Sequence, residues 1–486
     1  MSAQTAQVPF FGHIIDGEEV ESLDGGRFDT VNPWTREKWA EVAMASAADA
    51  DRAVASARKA FDEGPWPRLG RVARGALIHR LADLMEERAE ELARADSTDM
   101  GKPLEQALHD VARSVWNFRF FADHQRDHTG EVMPMDSGHH TYVEYGPAGV
   151  VVAISPWNFP LMMATWKIAP ALAWGNTCII KPAEDTPASV TILGRLAIEA
   201  GFPPGVLNVL NGYGVPAGSS LTGDDRVDRI TFTGESGTGK IIMAAAATHL
   251  APVSLELGGK GANIVFEDAE IDNAVYWAVE SIFRNAGQVC LAGSRLFVQA
   301  SIYESFLARF KQAAEALTIG EPFDPATKFS CLASQEHFNK VKAYVDSVDA
   351  EGGKILTGGV AEDGSWLVRP TIVTDLPLEA SQYCQEIFGP VVVVNKFETE
   401  DEVVHLANDT RYGLNAMLFT ENLSRAHRVS SRLKAGTVWV NCFFIRDLRT
   451  PFGGVGDSGV GREGGNFSRE FFTEPKAVVM QINRKG

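Results

Sequence analysis

Three residues of this sequence combine a reactive side chain with a suitable local setting. Cys290 lies in RNAGQVCLAGSR, flanked by Gly287 and Gly293, between an expected helix and an expected strand. Glycine permits close approach of a ligand to the backbone, and an accessible cysteine there could attack as its thiolate. A cysteine that only packs is the competing reading. Glu256 ends the apolar run SLELGGK just before Gly258 and Gly259. A carboxylate at the C-terminal end of a strand faces the ligand crevice of an open α/β sheet, and burial raises its pKa toward that of a general base. A solvated strand-end charge is the alternative. Asn158 is held between Pro156 and Pro160 in SPWNFP, where a rigid amide could donate to an oxyanion or form a simple Asx turn.

A fourth stretch, GESGTGKI from Gly234 to Ile241, nearly spells a P-loop. A P-loop requires Ser or Thr straight after the lysine to hold magnesium, and Ile241 stands there after Lys240. What survives is a strand, a glycine turn and a helix start, whose free N–H groups suit a pyrophosphate without a metal. The spacing therefore argues against an NTPase.

These groups need elements to hold them. Repeats at three- and four-residue spacing predict helices from about Ala47 to Ala122. From GVVVAIS onward, strand-like and helix-like stretches alternate: TCIIKP, GVLNVLNG, RITFTG and VSLELGG are strands with helices between them. This order implies a parallel α/β sheet. A second α/β unit starts near Gly259, with GANIVF, RLFVQ, VVVVNKF and GTVWVNC as strands. The tail KAVVMQIN reads as a strand with no partner nearby in sequence, and pairing with another subunit is expected.

The chain has 486 residues, 45% hydrophobic and 22% charged, so two or three domains with sizeable cores are expected. A net charge of −18 makes nucleic acid and anionic membranes poor partners. The five cysteines form no CxxC pair and no zinc spacing, so no metal is expected and the compartment reads as reducing. The N-terminal stretch lacks the charged-then-apolar order of a signal peptide, and no apolar run is long enough to span a bilayer. Cytoplasm is the expectation.

The motifs SPWNFP, IIKPAEDTP, FTGESGTGK, LELGGK, GQVCLAGSR, EIFGPVV and PFGGVGDSGVGREGG, in this order and spacing, resemble the aldehyde dehydrogenase superfamily over nearly the full chain. The resemblance implies an α/β fold with two Rossmann-type parallel-sheet domains and a small β oligomerisation arm. The implied boundaries are 1–128 and 148–258 for the cofactor domain, 259–472 for the catalytic domain, and 129–147 with 473–486 for the arm. It also implies a homodimer or homotetramer. Under it, Cys290 attacks the aldehyde, Asn158 holds the oxyanion, and Glu256 activates the water that hydrolyses the thioester.

The implied cofactor is NAD. Lys181 and Glu184 resemble the adenosine-ribose contacts, and a carboxylate near the ribose 2′ position favours NAD over NADP. Glu386 and Phe388 resemble the nicotinamide-side contacts. Trp157, Gly214, Gly218, Gly234, Ser236, Gly239 and Leu257 line the same groove. Glu235 departs from the small residue many relatives carry near the pyrophosphate, and Ser236 is the substitute contact.

For the substrate, the resemblance places Arg113, Phe159, Met163, Trp166, Arg446 and Phe452 around the pocket. RDLR before FGG resembles the members acting on 2-hydroxymuconate or 2-aminomuconate semialdehyde. Guanidinium groups suit a carboxylate, so an anionic semialdehyde is expected, with a betaine-type or general aliphatic aldehyde as the alternative. Arg446 could instead pair with Asp447, and Arg449 is expected to be structural.

Overall fold

The computed structural model describes residues 8–482. The expectations for residues 1–7 and 483–486 lie outside these.

Two α/β sheets carry the molecule. The first has eight strands, of which the five central ones run parallel: Val253–Glu256, Arg229–Thr233, Val150–Ile154, Thr177–Lys181 and Leu207–Val209, in that spatial order. Gly459–Val460 closes one edge antiparallel, and His13–Ile15 with Glu18–Val20 closes the other. The central strands are buried almost throughout, as sheets covered by helices on both faces require. The second sheet has seven strands in the order Lys354–Val360, Val368–Thr374, Val391–Phe397, Arg295–Gln299, Ala262–Val265, Asn415–Phe419 and Thr437–Val440. Only Lys354–Val360 runs antiparallel to its neighbour.

The expected helices form. Ala47–Asp62 starts at a capping box made by Ser46 and Asp49, which satisfies two free N–H groups reciprocally. Arg71–Glu87, Ala89–Met100 and Leu104–His124 follow. Pro160–Ala173 carries a proline in its first turn, where no N–H is needed. A three-stranded ribbon of Phe10–Phe11, Glu37–Ala43 and Arg27–Asn32 precedes them; its short strands escaped the periodicity reading. Among the described residues no helix is long and apolar enough to cross a membrane.

The tail corrects one expectation. Thr473–Gln481 pairs antiparallel with His139–Pro147 of its own chain along its whole length, and Glu131–Met133 completes a three-stranded arm. The partner is 326 residues away at the Thr473–Pro147 end of the ladder, because strand pairing does not require a short connection once the two sheets fix both ends.

The topology converges on one place. The ends of Val150–Ile154, Thr177–Lys181, Arg229–Thr233 and Val253–Glu256 launch the segments with Asn158, Glu184, Ser236 and Leu257, the crevice side of a parallel sheet. In the second sheet, the neighbouring strands Arg295–Gln299 and Val391–Phe397 bring the loops before them side by side. Those loops hold Cys290 and Glu386. A Cβ at Gly287 would lie 2.2 Å from the Gly389 carbonyl oxygen, so only glycine fits there.

Candidate active site

Cys290 sits where two cavities meet. A groove of about 510 Å³ and an inner cavity of about 150 Å³ share Cys290, Phe159, Met163 and Thr233 as walls. Cys290 is partly exposed. Enclosure pushes its thiol up to about 12, and the nearby Glu386 and Glu256 push the same way. The thiol therefore keeps its proton at neutral pH until a base takes it.

The loop before Cys290 is backbone-strained. Asn285 and Ala286 have φ values of 53° and 52°, a left-handed conformation that costs energy for residues other than glycine. The turn is tied to the SPWNFP loop. Asn285 Nδ2 donates to the Asn158 carbonyl at 2.9 Å and lies 3.3 Å from the Gln288 carbonyl. Asn158 Nδ2 donates to that same Gln288 carbonyl at 2.9 Å, which leaves its second N–H for another acceptor. Lys102 Nζ also donates to the Asn158 carbonyl at 3.0 Å and pairs with Asp110 at 2.6 Å. The Asn158 main chain is thus held by Asn285 and Lys102, and its side chain by the Gln288 carbonyl.

Glu256 lines the inner cavity with both carboxylate oxygens buried and, among the described residues, without a hydrogen-bond partner. Burial, then the like charge of Glu463, raises its pKa well above the ordinary value; Lys167 and Arg446 oppose this. Behind it, Glu463 Oε1 accepts from Lys167 Nζ and Thr231 Oγ1, each at 3.0 Å, and from Ser254 Oγ at 3.3 Å. Glu463 Oε2 is buried and unbonded.

The groove carries most of the cofactor expectations. Trp157, Glu184, Gly234, Leu257, Glu386 and Phe388 line it. Glu386 accepts from the Gly259 N–H at 2.8 Å, and burial still lifts its carboxyl to about 7. A Cβ at Gly258 would fall 2.1 Å from Glu386 Oε2, so that crossing needs glycine. Phe388 stands at φ 61°, and its ring meets Trp157 edge-on at 5.3 Å. Lys181 Nζ lies 3.4 Å from Glu184 Oε2, and Gly218 packs beside the Lys181 stem. Gly214 opens the turn Gly214–Gly218. Gly239 sits against Leu257, where a Cβ would come within 2.5 Å. Ser236 begins the helix Ser236–Ala247 but is buried, with its hydroxyl given to the Asp457 carbonyl at 2.7 Å. Glu235 is exposed and lines the groove. A groove walled by Glu184 and Glu386, with the Gly234–Glu235 turn before a helix start also in its wall, fits a dinucleotide.

The inner cavity takes all six substrate expectations: Arg113, Phe159, Met163, Trp166, Arg446 and Phe452 line it. The Arg446 guanidinium is sandwiched 3.9 Å from the Trp166 ring centroid and 3.7 Å from that of Phe452. Its Nε and Nη2 are buried and unbonded. Asp447 does not neutralise it, because Asp447 is held by Arg449 at 2.5 Å. Burial, then Arg113, lowers the Arg446 pKa to about 9.

The family model for the aldehyde dehydrogenase family matches residues 20–478. The chain belongs to the aldehyde dehydrogenase family. It is 45% identical to 2-hydroxymuconic semialdehyde dehydrogenase of Pseudomonas sp. (strain CF600), over 97% of this chain and 99% of that one. It is 42% identical to human retinal dehydrogenase 2, over 97% and 92%. The NAD+ complex of aldehyde dehydrogenase from Bacillus cereus superposes with a TM-score of 0.96 at 40% identity, covering 97% of both chains.

Five site residues of this aldehyde dehydrogenase escaped the sequence reading: Lys102, Lys167, Asn285, Glu463 and His337. Lys167 left a trace as the one charge in the apolar helix Pro160–Ala173. Lys102 and Glu463 left none, since their partners are Asp110, Asn158 and Thr231 across the fold. His337 Nε2 donates to the Phe388 carbonyl at 2.8 Å and the ring packs on Trp157; burial lowers its pKa to about 4, so it is neutral.

Proposed function

We propose that this aldehyde dehydrogenase oxidises a carboxylated semialdehyde to the acid with NAD, through a thioester on Cys290. The balance is aldehyde, NAD+ and water giving carboxylate, NADH and protons. The observation that carries it is the place of Cys290 at the junction of the groove and a cavity holding Glu256 and the unpaired Arg446 guanidinium.

Bound NAD supplies the hydride acceptor. Trp157, Lys181, Glu184, Glu386, Phe388 and Leu257, with the backbone around Gly214, Gly218, Gly234, Ser236 and Gly239, would hold it. Glu184 at the groove end suits ribose hydroxyls and repels a 2′-phosphate. The chain's own residues do the rest. The Cys290 proton passes to water in the site, and sulfur adds to the carbonyl carbon. The free Asn158 N–H and the Cys290 backbone N–H face the new oxyanion, an interaction worth about 2.7–4 kcal/mol per donor. After oxidation of the adduct, Glu256 takes a proton from water, which attacks the thioester and releases the acid. Its raised pKa makes it a stronger base than an exposed carboxylate, and Glu463 beside it offers a free oxygen for onward transfer.

Arg446 is the contact assigned to the substrate carboxylate, with Arg113 beside it; Phe159, Met163, Trp166 and Phe452 form apolar walls. The name of the Pseudomonas relative supports the same class. A betaine-type aldehyde would meet guanidinium groups where a cation needs acids or an aromatic cage. NADH formation measured over acidic, cationic and neutral aldehydes tests the reading. Highest kcat/KM for the acidic set is expected, and preference for a cationic aldehyde would overturn it. The division into cofactor domain, catalytic domain and arm, assembly through the arm as a dimer or tetramer, and a cytoplasmic setting belong to the same proposal.

A further inference from the structure

The inner cavity holds a third guanidinium that the semialdehyde reading does not use. Arg284 follows the helix Ile271–Phe283 and lines the cavity with Arg113 and Arg446. Its guanidinium lies 5.7 Å from the centroid of Phe444, which is itself stacked on Phe159. Among the described residues no carboxylate stands within ion-pair distance of it, whereas Asp447, the acid nearest Arg113 in influence, is already held by Arg449. Of the two acids lining the cavity, Asp110 is paired with Lys102 at 2.6 Å, which leaves Glu256 alone against three guanidinium groups. The cavity therefore carries net positive charge inside a chain of net charge −18.

The three cations differ in depth. Arg446 is enclosed between Trp166 and Phe452, with buried nitrogens. Arg113 leans on Trp116, a ring 43% exposed. Arg284 acts electrostatically on Glu105, an exposed acid paired with Lys328. Arg284 and Arg113 thus occupy the outer part and Arg446 the inner part. An anionic substrate approaching an acidic protein is repelled at long range, and a local positive mouth offsets that by focusing the field.

We propose that Arg284 is a specificity-determining residue: an outer cation that captures the carboxylate of an anionic aldehyde on entry and passes it to Arg446. This rests on the carboxylated-semialdehyde reading. Full-length Arg284→Gln and Arg284→Lys enzymes test it with succinate semialdehyde and butanal, a four-carbon pair differing in the acid group. In Arg284→Gln the ratio of kcat/KM for the acid to that for butanal is expected to fall about tenfold at low salt, the lower end of electrostatic steering. The salt dependence of kcat/KM for the acid should flatten, and Arg284→Lys should restore both. An unchanged ratio, or equal losses on both aldehydes in Arg284→Gln, would overturn the proposal. Arg446→Ala run alongside separates the two ideas: if it too leaves the ratio unchanged, the semialdehyde reading fails; if it alone lowers the ratio, only the role of Arg284 fails.

Discussion

Asn285 donates its side-chain amide to the main-chain carbonyl of Asn158 at 2.9 Å, joining segments 127 residues apart. One contact thereby couples the loop of the nucleophile to the loop of the oxyanion donor. Asn285→Ala should lower kcat by about 10²-fold, the low end of losing an oxyanion donor, while the Kd for NAD stays within a factor of about two. Steady-state kinetics and NAD titration by tryptophan fluorescence check this; loss of NAD binding would show a general collapse instead.

The Cys290 thiol is pushed up to about 12. A raised thiol pKa means the reactive thiolate is scarce at neutral pH and gains with each step upward. Alkylation of the free enzyme by iodoacetamide at this residue should accelerate about tenfold per pH unit across the neutral-to-alkaline range. A plateau near neutral pH would contradict it. Cys290→Ala should abolish oxidation and spare NAD binding.

Glu463 raises the Glu256 pKa and Lys167 lowers it. Glu256 works as a base in its charged form, so activity rises with pH through its pKa. Glu463→Gln should move that rise to lower pH, and Lys167→Gln should move it to higher pH. Opposite shifts in the kcat–pH profile are the signature; removing either partner of the buried pair also destabilises, by about 3–5 kcal/mol, so melting curves accompany the profiles.

Among the described residues Arg446 is in no ion pair, and Asp447 is engaged by Arg449. Arg446→Ala should raise KM for a carboxylated semialdehyde by about 10²-fold, the loss of a charge-assisted pair, and far less for an aliphatic aldehyde. Equal rises would refute the clamp.

Glu184 stands partly exposed at the groove and 3.4 Å from Lys181 Nζ. Glu184→Ser should lower the preference for NAD over NADP by about tenfold, read as the ratio of kcat/KM for the two cofactors.

Sequence alone determined the α/β class and most strand and helix positions, and it singled out Cys290, Glu256 and Asn158 as candidates. Those are local properties: apolar period, glycine and proline punctuation, and reactive residues next to them. The near-P-loop was also decided locally, because one missing hydroxyl at Ile241 removes the metal site. Tertiary structure alone decided the rest. Lys167 meets Glu463 across 296 residues, the tail Thr473–Gln481 finds His139–Pro147, and Arg449 takes Asp447 and so leaves Arg446 to the cavity. Which acid neutralises which base depends on distances set by the packing of two sheets, and no spacing along the chain encodes those distances.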